Sequence, residues 1–179
     1  MTNAELAILS LVAEKPRHGY EIESVIEERG MREWTEIGFS SIYYLLKKLE
    51  DEGLLEGDLE AAERGPARKV YHITRAGRDV LHAGVLESLS IPQHCYSPLQ
   101  LGLANMPGIG QEEALLSLRK YHQALQERSM HIRERRDSQR PLPYFVEAVF
   151  EHSLTMIEAE QQWIEKFTRQ VETERDDQD

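Results

Sequence analysis

Tyr44, Lys47 and Lys48 recur on one side of a helical repeat whose other side is Ile42, Leu45, Leu46 and Leu49, with Ser41 and Tyr43 at the borders. Apolar residues at i, i+3, i+4 and i+7 make the buried stripe of an amphipathic helix, so the opposite face presents hydroxyls and ammonium groups to solvent. Those groups hydrogen-bond phosphate oxygens and base edges, although an ordinary solvated face has a similar composition. A second feature points the same way. The stretch 64–78 holds Arg64, Arg68, Lys69, Arg75 and Arg78 and no Asp or Glu, a local basic island suited to neutralising phosphate.

Other chemistry is thinly supported. His94-Cys95 is an adjacent pair of metal or thiol ligands with no further ligand clustered near it in sequence. Cys95 is the only cysteine, which excludes an intrachain disulfide and any zinc site built on two cysteines of one chain. A glycine-rich phosphate loop, HExxH and GxSxG are all absent, and the histidines are scattered, so neither an enzyme nor a cofactor nor a metal is expected.

The elements that must position these residues follow from the rest of the chain. It has 179 residues, 21 Lys and Arg against 32 Asp and Glu, and a formal net charge of −11. Taken alone that charge argues against nucleic acid. Hydrophobic residues at 40% and charged residues at 30% supply a packed core and exclude wholesale disorder. No stretch has the length of apolar residues that a membrane span requires, and the first ten residues lack a secretory signal pattern, so a soluble cytoplasmic protein is expected.

Thr2-Asn3-Ala4-Glu5 has the form of a capping box ahead of Leu6, Ile8, Leu9, Leu11 and Val12, predicting a first helix that Pro16 stops. His18-Gly19-Tyr20 reads as a turn, and Ile22, Val25 and Ile26 as the buried face of a second helix ending at Gly30. The third helix opens near residue 40 or 41 and closes at Gly53. Residues 54–60 and 68–73 are strand-like runs joined by a turn, and Thr74 caps a fourth helix carrying Val80, Leu81, Val85 and Leu89. Three helices, a hairpin and a fourth helix give a winged helix-turn-helix over 1–90.

The segment 91–110 is rich in Pro and Gly and reads as a connector, packed through Leu99, Leu101 and Leu103. From 111 to 175 the chain reads as a helical dimerisation domain, with a frayed tail at 176–179. Leu115, Leu118, His122, Leu125, Ser129, Ile132 and Arg136 form an imperfect heptad seam. In the last helix Phe150, Ile157, Ile164 and Val171 recur every seventh residue, flanked by Val149, Met156 and Trp163. A stripe that wide suits one helix touching two neighbours, one of them from a second copy. Tyr96, His152, Met156 and Trp163 are candidates for an effector pocket where the connector, the last helix and the winged domain meet. A Met and aromatic stripe at helical spacing serves equally as core.

Four motifs in order carry a resemblance. They are Ala7-Ile8-Leu9, His18-Gly19-Tyr20-Glu21, the run Ser41-Ile42-Tyr43-Tyr44-Leu45-Leu46-Lys47-Lys48-Leu49-Glu50-Asp51-Glu52-Gly53-Leu54, and Tyr71-His72-Ile73-Thr74-Arg75-Ala76-Gly77. Together they resemble the PadR family of bacterial transcriptional regulators, and the second half is similar to the longer subgroup ending in a virulence-activator-type α domain. The resemblance implies a homodimeric repressor or activator that reads a pseudo-palindromic operator in double-stranded DNA and releases it to a small aromatic or hydrophobic effector. Ser41, Tyr44, Lys47 and Lys48 would then enter the major groove with Tyr43 on a phosphate. Arg64, Arg68 and Lys69 would hold the wing to the backbone. The competing reading is a winged helix that binds another protein and no specific DNA.

Overall fold

Thr2 accepts the backbone N–H of Glu5 at 3.2 Å while the Glu5 carboxylate accepts the N–H of Thr2 at 2.8 Å, closing the expected capping box and starting α1, Asn3–Glu14. In this computed structural model, which describes residues 1–35, 37–38, 41–61, 67–93 and 96–176, the chain divides into two units, Met1–His94 and Cys95–Asp179.

In the first unit α1 is followed by a two-residue strand β1, Arg17–His18, and by α2, Gly19–Glu28. The turn expected at His18 is thus a strand end that also caps a helix. Next come α3, Ser41–Asp51, the wing strands β2, Leu55–Glu60, and β3, Arg68–Ile73, and α4, Arg75–Ser90. The sheet is antiparallel in the order β1-β3-β2, with Leu55 opposite Ile73, Glu60 opposite Arg68, and Arg17 opposite Tyr71. Ile8, Leu9, Ile22, Ile26, Ile42, Leu46, Leu49 and Leu55 are almost completely buried together. Val80 and Leu81 pack on this core, but Val85 and Leu89 are exposed, because the core is filled by the first turns of α4.

The end of α3 is closed by a Schellman motif. Leu54 N–H donates to Leu49 O and Gly53 N–H to Glu50 O, both at 2.8 Å, and Gly53 takes a φ of +72° that other residues rarely adopt. Thr74 fastens α4 to that cap. Its hydroxyl lies 2.9 Å from Gly53 O and 3.1 Å from Leu54 O, and accepts the N–H of Gly77 at 3.0 Å. Gly77 is needed for this closeness, since a Cβ there would stand 2.2 Å from Leu54 O.

The second unit departs from the sequence reading at both ends. Pro98–Ala104 within the expected connector is a helix, α5, followed by the single turn Met106–Gly108. Leu99 packs inward from it and Leu103 is half-buried, whereas Leu101 is exposed. The long helices α6, Gln111–Ser138, and α7, Tyr144–Asp176, run antiparallel, as the ion pairs Arg119 with Glu172 and Arg133 with Glu158 require. Helix thus continues to the first residue of the expected frayed tail, and 177–179 lie outside the described residues.

The seam expected between α6 and α7 is present. Leu115, Leu118, Leu125 and Ile132 are buried with Ile157, Ile164 and Val171. His122 covers its polar position by pairing with Glu165 at 3.0 Å. Ser129 does not: it is 2% exposed and its hydroxyl finds no partner among the described residues.

Two stability outcomes follow. Gly77→Ala should lower the unfolding free energy of the winged unit by about 1–3 kcal/mol, because the intruding methyl meets backbone and cannot be accommodated by a rotamer change. Ser129→Ala should raise stability by about 1 kcal/mol by removing an unbonded buried hydroxyl from a helix interior. Thermal unfolding of each variant against the parent chain tests both, and a Ser129→Ala protein that melts lower would contradict the second.

Candidate nucleic-acid interface

Burial of Ile42, Leu45, Leu46 and Leu49 fixes the rotation of α3 about its axis and so decides what its other face shows. Tyr43 and Tyr44 are both exposed. The Lys47 side chain is 75% exposed and meets only the open carboxylate of Asp51 at 4.0 Å, a pair worth little in water. Ser41 donates its hydroxyl to Gly38 O at 2.6 Å and so closes the first turn of the helix. Tyr43 leans over the start of α2, where a Cβ on Gly19 would come within 2.5 Å of the ring. The glycine between His18 and Tyr20 therefore makes room for the tyrosine of the third helix.

Lys48 belongs to the face read from the sequence but is held elsewhere. It donates to the nearly buried carboxylate of Glu5 on α1, with Glu52 at 3.7 Å as a second partner. That hydrogen bond holds the Glu5 carboxyl below its ordinary range and raises Lys48. Lys69 on the wing is likewise held, by Glu50 at 2.6 Å, which raises it, and it lies over the Tyr71 ring at 5.4 Å. Reading helix and strand separately overstated the available charge, because the carboxylates that claim these lysines come from other elements of the fold.

Arg68 remains on an exposed part of β3, its guanidinium 3.4 Å from His18 Nε2. Arg75 and Arg78 are exposed on the first turns of α4 and make no ion pair among the described residues. Cations at a helix N-terminus oppose its dipole, so nothing internal to the helix favours them there. Arg64, together with His94 and Cys95, lies outside the described residues. A hollow of about 500 Å³ is lined by His18, Gly19, Tyr20, Tyr43, Arg68, Lys69 and Tyr71. The sequence reading had not joined Tyr20 and Tyr71 to the recognition residues; only the β1 to β3 pairing, built on two residues, brings them there.

None of the four candidate effector residues is buried. Tyr96 is 88% exposed, Met156 59% and Trp163 44%, and His152 is exposed as well. Met156 and Trp163 lie beside the buried stripe of α7 rather than on it, and Trp163 stacks on Phe167 at 5.1 Å. The apolar cavity of the second unit lies against α5 and α6 and is lined by none of the four. Among the described residues no three of His, Cys, Asp and Glu gather as a metal site, and no helix is long and apolar enough to cross a membrane.

A helix-turn-helix whose third helix turns hydroxyls and a lysine outward, followed by a two-stranded wing and a helical hairpin, defines the class as a winged-helix regulator with an α-helical C-terminal domain. Residues 8–83 match the model of the transcriptional regulator PadR-like family. An uncharacterized protein of Lysinibacillus sphaericus is 34% identical over 80 residues, which span 45% of this chain and 72% of that one. The chain belongs to the PadR-like family of transcriptional regulators. Its fold is similar to that of Bacillus subtilis PadR in complex with operator DNA, at a TM-score of 0.77 and 21% identity, covering 93% of this chain and 98% of that one. Bacillus subtilis PadR in complex with p-coumaric acid gives 0.78 and 21%, covering 94% and 98%. The Vibrio cholerae virulence activator AphA gives 0.74 and 18%, covering 96% and 99%.

The Lys48 to Glu5 link has a pH signature. Because the folded-state pKa of Glu5 is depressed, its contribution to stability is full above the unfolded glutamate value of about 4.3 and is lost as pH falls through the lower folded value. Glu5→Gln retains a capping-box acceptor but not the charge. Its melting temperature should lie below the parent's at pH 7, and the gap should close as pH is lowered toward 3. A gap that stays constant over that range would show that the link contributes nothing through charge.

Proposed function

We propose that the protein is a homodimeric repressor that binds an inverted-repeat operator, with α3 of each copy in a major groove. The observation that carries this is the outward face of α3, where Tyr43, Tyr44 and Lys47 are exposed while every apolar residue of the helix is committed to the core. In this reading Tyr44 and Lys47 meet base edges or phosphates, Tyr43 a phosphate, and Ser41 the backbone beside the helix start. Arg68 and Arg64 hold the wing to the backbone, joined by Arg75 and Arg78 at the head of α4. Lys48 and Lys69 act chiefly as struts, their charge already engaged by Glu5 and Glu50. The operator complex of Bacillus subtilis PadR, with the same fold, supports this use of the winged unit.

Dimerisation is supported by α7. Its inner stripe is buried against α6, while Met156 and Trp163 on the adjoining stripe remain exposed in a single chain. An isologous contact of such stripes gives two-fold symmetry, and hence half-sites one helical turn or a multiple apart. The complex of Bacillus subtilis PadR with p-coumaric acid supports release by a small molecule.

Selection of binding sites from a random duplex pool tests the reading, with enrichment of an inverted repeat expected. No enrichment at low salt would favour the alternative of a protein-binding winged helix. Lys47→Ala should weaken operator binding and reduce the slope of log affinity against log salt by about 0.9 per subunit, the value for one phosphate contact on duplex DNA. Its melting temperature should be unchanged, whereas Lys48→Ala should lower it by freeing Glu5. A Lys47→Ala protein with the parent's affinity and salt slope would remove α3 from the interface.

A further inference from the structure

His18 faces one more donor than it can serve. Its Nδ1 accepts the backbone N–H of Glu21 at 3.2 Å as the cap of α2, and its Nε2 lies 3.4 Å from Arg68 Nη1. A neutral imidazole has one ring lone pair to offer, because its other nitrogen carries the proton, and a guanidinium has none. With Nδ1 committed to the cap, the proton sits on Nε2 and meets the Arg68 N–H donor to donor. The opposite tautomer only moves the conflict, since Nδ1–H would then meet the Glu21 N–H.

No acceptor among the described residues resolves it. The Glu21 carboxylate stands 3.6 Å from Nε2 and already accepts the backbone N–H of His18 at 3.1 Å. Arg68 is exposed and makes no ion pair among the described residues. An outside oxygen about 2.8 Å from both nitrogens, the usual length of a charge-assisted hydrogen bond, fits on the 3.4 Å base between them. Beside a guanidinium that oxygen is best an anion's.

The position of the pair says which anion. His18 and Arg68 border the hollow of about 500 Å³ in which the start of α2, Tyr43 of α3 and strand β3 of the wing come together. Tyr20, 67% exposed, stands beside it with its ring stacked 6.4 Å from that of His18. A duplex that holds α3 in its groove and also meets the wing passes a backbone strand across the gap between those two elements.

We propose that His18 and Arg68 clasp one backbone phosphate of the operator, the Nε2–H of one and the guanidinium of the other donating to it together. His18 thereby joins the DNA contacts proposed above, and its role rests on that reading. One ring then does two things: it caps α2 through Nδ1 and fixes where the phosphate lies through Nε2.

The operator selected from the duplex pool supplies the probe. Versions carrying a single methylphosphonate at successive backbone positions, each neutralising one phosphate, are titrated at pH 8 with the parent chain, His18→Asn and Arg68→Gln. Asparagine keeps a side-chain acceptor for the cap but is too short to place a donor where Nε2 stands. His18→Asn should melt close to the parent and bind the unmodified operator about tenfold more weakly. One phosphate per half-site that is sensitive in the parent should lose most of its effect in His18→Asn, and the same phosphate should lose it in Arg68→Gln.

A purely structural role for His18 would weaken binding to every duplex by one factor and leave the methylphosphonate profile unaltered, which would overturn the clasp. Parent-like affinity in His18→Asn, or different phosphates silenced by the two variants, would overturn it as well. Arg68→Gln does not touch the cap, so an unaltered profile in that variant decides against the clasp even where His18→Asn melts low. A parent chain that enriches no duplex would overturn the DNA reading and the clasp with it, a failure seen before any variant is compared.

Discussion

Everything that faces outward from the winged unit depends on the junction at Thr74. One hydroxyl spans the last carbonyls of the α3 cap and the Gly77 N–H in the first turn of α4, and Gly77 lets the two backbones touch. Because β2 begins at Leu55 and β3 ends at Ile73, the same few ångströms also hold the base of the wing. Helix, wing and following helix are therefore set relative to one another by a polar knot rather than by side-chain packing alone. A knot of this kind has few alternative geometries, which suits a surface that must match a duplex in both spacing and angle.

Net charge describes this protein poorly. The acids on α1 and α3 do not merely surround the basic surface; Glu5, Glu50 and Glu52 hold specific lysines. In the winged unit Lys47 has only the distant carboxylate of Asp51, and Arg75 and Arg78 make no ion pair among the described residues, so available cations include groups on α3 and α4. An acidic body with a small set of available cations has a weak general attraction to DNA, so discrimination falls to the groups that reach the groove.

Much of the winged unit was legible in the sequence, for a definite reason. The Thr2 and Thr74 caps, Gly53 and the stripe from Ile42 to Leu49 are local signals, each spanning about a helical turn or two. What was not legible is pairwise and distant. β1 is two residues long and exists only because β3 is beside it. The capture of Lys48 by Glu5 and of Lys69 by Glu50 joins separate elements. In the second unit the heptad seam was readable because its period is unbroken, while α5 was hidden by the prolines and glycines around it. Met156 and Trp163 keep the flanking place that their spacing gave them, exposed beside the stripe that fills the seam.

Glu5 holds two positions at once. One carboxylate oxygen closes the start of α1 against Thr2, and the other takes Lys48 at the last turn of α3, forty-three residues away. An aspartate would be a methylene too short to do both, and a glutamine would keep the cap while leaving the lysine only the more distant carboxylate of Glu52. Positions 5 and 48 are therefore free to vary only as a couple. Where the lysine is replaced by an apolar residue, the acid on α1 should be replaced too, and α3 would carry a record of what stands on the first helix.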